Sequence, residues 1–199
     1  MLKLGRLLAV ATIIFVAFPV HEFAHAATAV ALGDDTPRWQ GRYTLNPMAH
    51  IDPMGAILVL FAGFGWARPV QWNPSRINID RRLGTILVAV AGPLSNLLLA
   101  VIGAFVVRAT QTGSSFIFDF FYNFMGINVA LFVFNLIPVP PLDGSHILFA
   151  LLPGDNYQLR AQLNQYGFLI LLAVIFLAQS IIYAPVNWII RALMNPLLF

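Results

Sequence analysis

The sequence contains no cysteine. That excludes a disulfide framework and a thiolate metal site, so any bound metal must rest on histidine and carboxylate. Charge is also scarce. Asp, Glu, Lys and Arg make up 10% of the 199 residues, against 59% hydrophobic. Soluble globular domains do not have that balance; a polytopic membrane protein with short loops does. The formal net charge of +3 is not gathered into a Lys/Arg cluster on a polar surface, which argues against a nucleic-acid partner. No internal repeat or low-complexity tract is visible. Glutamate is scarce as well. Glu22 is the only one, and the other seven acids are aspartates.

That single glutamate stands in Val20-His21-Glu22-Phe23-Ala24-His25-Ala26, inside an apolar run from Leu4 to Leu32. Ionisable side chains in a hydrocarbon-length helix are costly and mark function by default. The start of this run imitates a signal peptide, with Lys3 and Arg6 before the apolar stretch and Ala24-His25-Ala26 after it. The apolar pattern continues past that point, which favours a span. Pro19 removes one backbone hydrogen bond just before the motif and predicts a bend there. Gly33 closes the helix.

The rest of the chain reads as a series of membrane segments. Residues 36 to 53 are polar and irregular, with Gln40 to Leu45 expected as a short β-like stretch. Gly55 to Ala67 is apolar, but thirteen residues make only about 20 Å of helix. Gly63 and Gly65 interrupt it. Leu83 to Val107 is a full span containing Gly92-Pro93-Leu94-Ser95-Asn96. A further span begins near Phe116. It breaks at Pro138, Pro140 and Pro141, then resumes through Leu152. Tyr166 to Tyr183 is expected to cross again, with an amphipathic tail. The fold class is therefore all-α and polytopic. It has about four full transmembrane helices, a re-entrant or interfacial hydrophobic segment and a short β-like loop. One domain over 1–199 is expected, with a catalytic core of about 4–152 and an additional C-terminal helix of about 164–194.

His21 and His25 are i and i+4, so on a helix both imidazoles can reach one ion. Glu22 sits about 100° round from His21, beside that face. This is the H-E-x-x-H arrangement, two zinc ligands and a general base. A catalytic zinc takes a third protein ligand. His50, Asp52, His146 and Asp143 are the candidates. Asp143 is favoured because it follows proline-broken backbone at membrane depth, which is tolerated where it is buried in protein or lines a wet cavity.

His21-Glu22-Phe23-Ala24-His25, together with Asn135-Leu136-Ile137-Pro138-Val139-Pro140-Pro141-Leu142-Asp143-Gly144, resembles the site-2 protease family of intramembrane zinc metalloproteases. The family's signatures are H-E-x-x-H and N-x-x-P-x-x-x-L-D-G, and both match here at every fixed position. Gly92 to Asn96 resembles the family's middle core helix. The resemblance covers roughly residues 5 to 150 and is to a compact form without a PDZ or CBS domain. It implies His21, His25 and Asp143 as ligands of one Zn2+ per chain and Glu22 as the catalytic base. It implies Asn135 as a contact for the substrate backbone and a transmembrane protein in the lipid bilayer as substrate; Asn96 is read as a further substrate contact, against the alternative that it bonds a neighbouring helix. The competing expectations are a catalytically inactive scaffold of the same fold and a metal or ion transporter. Intact Glu22 and Asp143 argue against the first. A transporter predicts broken helices in two matching halves, and only one span is broken here.

The motifs also constrain topology. His21 and Asp143 can meet only if their two spans run in the same direction. The segment from Gly55 to Ala67 must then fail to cross. Arg38, Arg42, Arg68, Arg76, Arg81, Arg82 and Arg160 fall on the motif side, against Lys3, Arg6, Arg108 and Arg191 on the other. The excess predicts a multi-pass protein of a prokaryotic plasma membrane with its active site towards the cytoplasm.

Overall fold

A computed structural model of the chain describes residues 8, 10–62, 65–110, 115–154, 157–177 and 179–195. Lys3, Arg6 and Gly63 lie outside the described residues. The first helix, α1 (Val10–Ala31), contains a π-helical turn at Ile13–Ala17, where the Phe18 amide donates back to Ile13. Pro19 follows directly and is fully buried. The disturbance expected at this proline is thus a π turn, a local underwinding that re-aims the side chains after it. Two short helices follow, α2 (Thr36–Trp39) and α3 (Pro47–His50), then α4 (Pro53–Ala62). The core helix α5 (Arg81–Ala109) is capped by Asp80, whose carboxylate accepts from the Leu83 amide at 2.9 Å. The remaining helices are α6 (Ser115–Asn135), α7 (Asp143–Leu151), α8 (Tyr157–Leu177) and α9 (Gln179–Met194).

Among the described residues, four helices are long and apolar enough to cross a membrane: α1, α5, α8 and the stretch Phe116–Asn135 of α6. The chain is an all-α, multi-pass membrane protein. α5 lies at the centre and packs most extensively on α6, α1 and α7. Its inward face is built from small residues, among them Gly84, Ala89, Gly92, Ala100, Gly103 and Ala104. Small residues let backbones approach closely where no hydrophobic drive separates helix from lipid. Ala100 and Ala104 meet Met125, Val129, Val186 and Leu193 in a buried cluster that locks α9 onto α5 and α6.

The pairing of residues sets the directions. His25 meets Val88 and His21 meets Asn96, so α1 and α5 are antiparallel. Asn96 meets Asn128 and Gly103 meets Phe124, so α5 and α6 are antiparallel. α1 and α6 therefore run the same way, as the motifs require. The ten residues of α4 span about 15 Å, too little to cross. A Cβ on Gly55 would lie 2.0 Å from the Trp66 carbonyl oxygen, and one on Gly65 would lie 2.1 Å from the Gly55 oxygen. The two glycines let the returning chain lie backbone against backbone on α4.

Two expectations differ from the structure. Gln40 to Leu45 is a turn followed by bends, with no strand among the described residues. Gly41 adopts φ +66°, and Arg42 turns inward to donate to the Ala49 carbonyl. That inward turn destroys the in–out alternation a strand needs. The C-terminal helical region begins earlier than expected. α8 starts at Tyr157, with Gln158, Gln162, Asn164 and Gln165 in its first turns. Those polar residues hid its start from a hydropathy reading.

Candidate metal centre

α1 brings His21, Glu22 and His25 to its buried side. Both histidines are then oriented by α5. His21 Nδ1 lies 2.7 Å from Asn96 Oδ1, and His25 Nδ1 lies 2.7 Å from the Val88 carbonyl oxygen. A carbonyl oxygen only accepts, so His25 carries its hydrogen on Nδ1. The amide of Asn96 is oriented in turn: its Nδ2 donates to Asn128 Oδ1 at 3.0 Å, and Asn128 Nδ2 donates to the Phe124 carbonyl at 2.9 Å. His21 therefore also donates from Nδ1, and in both rings Nε2 presents its lone pair.

The two Nε2 atoms are 3.1 Å apart. The sharp return of the chain after α6 brings Asp143, the first residue of α7, up to them. Its Oδ2 lies 3.1 Å from His21 Nε2, and its Oδ1 lies 3.3 Å from His25 Nε2. The return is tight because residue 144 is glycine, where a Cβ would stand 2.4 Å from the Leu136 carbonyl oxygen. Asp143 Oδ2 is buried without a hydrogen-bond partner. Two imidazole nitrogens and a carboxylate thus converge on one point, a contact that a bound metal ion or a shared proton makes favourable.

The dimensions suit zinc. Zinc–ligand bonds of about 2.0–2.2 Å at tetrahedral angles hold ligand atoms roughly 3.3 Å apart. One ligand atom from each of His21, His25 and Asp143 falls within 4.8 Å of the others, the only such His/Cys/Asp/Glu group among the described residues. Gly92 supplies the room. A Cβ there would lie 2.3 Å from His25 Nε2 and 2.7 Å from His21 Cε1.

Glu22 is buried beside this cluster, and its Oε2 accepts from the Val70 amide at 2.7 Å. Val70 belongs to an irregular strap, residues 65–73, laid across the site. The Arg68 amide of the strap donates to the His50 carbonyl at 2.8 Å, and the Asn73 amide donates to the buried carboxylate of Asp34. Arg42 is buried beneath the strap. Burial and the neighbouring Arg68 lower the proton affinity of its guanidinium, and Glu22 partly offsets them. A cavity of about 90 Å³ lies between the strap and α6, lined by His21, Glu22, Trp66, Asn96, Asn135 and other residues.

Of the other residues singled out in the sequence, Asn135 lines this cavity and donates to the Leu131 carbonyl at 3.0 Å. Asn96, expected to touch substrate, is fully buried and engaged at both ends by His21 and Asn128. His50 is buried in the loop, bonded to the Thr44 carbonyl at 2.8 Å. His146 lies with its ring centroid 5.6 Å from that of Trp72. Neither His50 nor His146 joins the cluster. Sequence reasoning missed Asn128, Val70, Asp34 and Arg42. An asparagine in the middle of the Phe-rich span was the available signal for Asn128. Val70 acts through its backbone amide, which no side-chain pattern reveals.

A family model described as Peptidase family M50 matches residues 107–178. The chain is 44% identical over 172 residues to "Putative zinc metalloprotease YwhC" of Bacillus subtilis, covering 81% of this chain and 77% of the relative. It is 31% identical over 162 residues to "Putative zinc metalloprotease Rip2" of Mycolicibacterium smegmatis, covering 78% and 62% respectively. With the protein of the same name from Mycobacterium tuberculosis it shares 30% identity over 187 residues, covering 85% and 68%. No solved structure matches the chain.

Proposed function

The chain belongs to peptidase family M50, the site-2 protease family, and from that premise we propose that it hydrolyses a peptide bond within or near a transmembrane segment of a membrane-protein substrate. The observation that carries the reading is the convergence of two imidazole lone pairs and the orphaned Asp143 oxygen, with the chain's only glutamate alongside, inside a membrane-crossing helix.

In this reading His21, His25 and Asp143 hold one zinc ion per chain. When bound, zinc supplies Lewis acidity towards water and the scissile carbonyl. Glu22 accepts the proton of the attacking water and passes it to the leaving amine. The Val70 amide holds one carboxylate oxygen in place, so Glu22 meets the water in a fixed orientation. Asn96 is a positioning residue that keeps His21 in the tautomer a ligand requires. Asn135, on the wall of the same cavity as Glu22, contacts the substrate backbone. The substrate must unwind locally, because an intact helix encloses its own peptide bonds. Residues 1–199 act as one metalloprotease unit with a catalytic core of about 4–152. The arginine excess on the motif side orients the site towards the cytoplasm of a prokaryotic plasma membrane.

The decisive experiment is Glu22→Gln in the purified protein. Zinc content should stay at the wild-type level. Cleavage of a single-span model substrate should fall by about 10²–10⁴-fold, the usual contribution of general acid–base catalysis. Undiminished cleavage by Glu22→Gln would falsify the assignment.

A further inference from the structure

On the same side of the helix bundle, away from the metal ligands, lies a larger cavity of about 280 Å³. Its walls include Arg81 and Arg82 at the start of α5, Arg160 in the first turn of α8, and Trp72, His146 and Phe149. No carboxylate lines it among the described residues, and none of the three arginines forms an ion pair there. Arg160 is turned inward. Its Nη2 donates to the Phe149 carbonyl at 2.9 Å, and its guanidinium carbon sits 5.2 Å over the Phe149 ring. Its Nε is buried without a hydrogen-bond partner. An interfacial arginine that merely extended its head into water would leave no orphaned donor. Three guanidinium groups around a cavity, one with an unspent buried donor, have the chemistry of a phosphate site.

The position says which phosphate. Arg81 and Arg82 open one membrane-crossing helix and Arg160 lies near the start of another. That is the level at which lipid headgroups lie, and where Trp and Arg are at home. Exposed apolar side chains adjoin the cavity residues in sequence: Leu83 beside Arg82 is 49% exposed, and Leu151 between Ala150 and Leu152 is 65% exposed. They can meet the acyl chain of a bound lipid. An acidic peptide would use the arginines but not these leucines. We propose that the cavity binds the phosphodiester of an anionic lipid headgroup, with Arg160 as its central ligand and Arg81 and Arg82 closing on it from the rim.

The test uses the full chain purified in detergent, with retained lipid counted by native mass spectrometry. Phosphatidylglycerol and phosphatidylcholine are offered in equal amounts, and inorganic phosphate is offered separately. Wild-type protein should hold phosphatidylglycerol about tenfold more tightly than phosphatidylcholine. Arg160→Gln should remove about tenfold of that affinity, the worth of a charge-assisted pair. The double variant Arg81→Gln/Arg82→Gln changes only exposed residues and should lose a similar factor while eluting as folded protein. Arg76→Gln, an arginine outside the cavity, should stay within twofold of wild type. If millimolar inorganic phosphate displaces the lipid, the phosphate chemistry stands and free phosphate is the source. If phosphate is inert and lipid selectivity persists, the lipid is the source. Equal retention by wild type and both sets of cavity variants overturns the site, as does an acidic peptide that outcompetes both phosphate carriers.

Discussion

Replacing Gly92 with alanine adds one methyl group to the central helix, at the point where the two imidazoles converge. The backbone there is helical, so the substitution should favour α5 by up to about 1 kcal/mol on propensity alone. The new carbon would lie 2.3 Å from His25 Nε2 and 2.6 Å from its Cε1. Ordinary contact needs at least 3.4 Å, so the ring must retreat by roughly 1 Å. It cannot do so freely, because Nδ1 is tied to the Val88 carbonyl of the same helix at 2.7 Å. Either that bond breaks or Nε2 leaves the point it shares with His21 and Asp143. Losing such an orienting bond lowers metal affinity by about 10–100-fold. The assay is zinc competition against a chromogenic chelator in detergent, with a melting curve on the same sample. Gly92→Ala should elute and melt as a folded protein and bind zinc at least tenfold more weakly. Wild-type affinity in a folded Gly92→Ala protein would sink the argument that these three residues hold the ion in the described geometry.

Two further substitutions probe the supports of the site. Asn128→Leu removes the nearer acceptor that orients Asn96, leaving its Nδ2 only the long 3.5 Å bond to the Ala17 carbonyl. Zinc affinity should fall about tenfold although Asn128 does not touch the cluster; an unchanged affinity would mean that Asn96 holds its orientation unaided. Asp34→Ala removes the carboxylate that accepts from the Thr36 amide and hydroxyl and from the Asn73 amide. Stability should drop by about 3 kcal/mol and limited proteolysis should move to residues 65–73, with cleavage activity lost as Val70 leaves Glu22. A strap as protease-resistant as in the wild type would refute its anchoring by Asp34.

The candidate ligand group His21, His25 and Asp143 was legible because its chemistry lies in side-chain identity. A lone glutamate between two histidines, and an aspartate after three prolines, are visible in any listing of the residues. The span count was legible for the same reason, since hydropathy and length decide it. The failure of α4 to cross followed from its length and from the need to bring His21 and Asp143 together. The parts that stayed hidden depend on backbone atoms or on relations between distant helices. The strap is held by amides of Arg68, Val70 and Asn73, which any residue except proline could supply. That Asn96 also reaches His21 depends on the packing of α5 between α1 and α6, which its sequence neighbourhood does not reveal. The turn at Gly41 overrode the strand propensity around Tyr43 because Arg42 had a buried carbonyl partner to reach.

The hydrogen-bond chain from Phe124 through Asn128 and Asn96 to His21 has a direction. It starts from a main-chain oxygen that can only accept, and each amide then has one permitted orientation. The state of a nitrogen on the first helix is in this way dictated by the third span, and the dictation works only after that span has packed against the second. Cysteine and histidine ligands in a small zinc finger are brought together by the ion itself. Here the candidate ligands are aimed by helix packing: the ring nitrogens of His21 and His25 are turned by Asn96 and the Val88 carbonyl of the second span, and Asn96 is turned by the third.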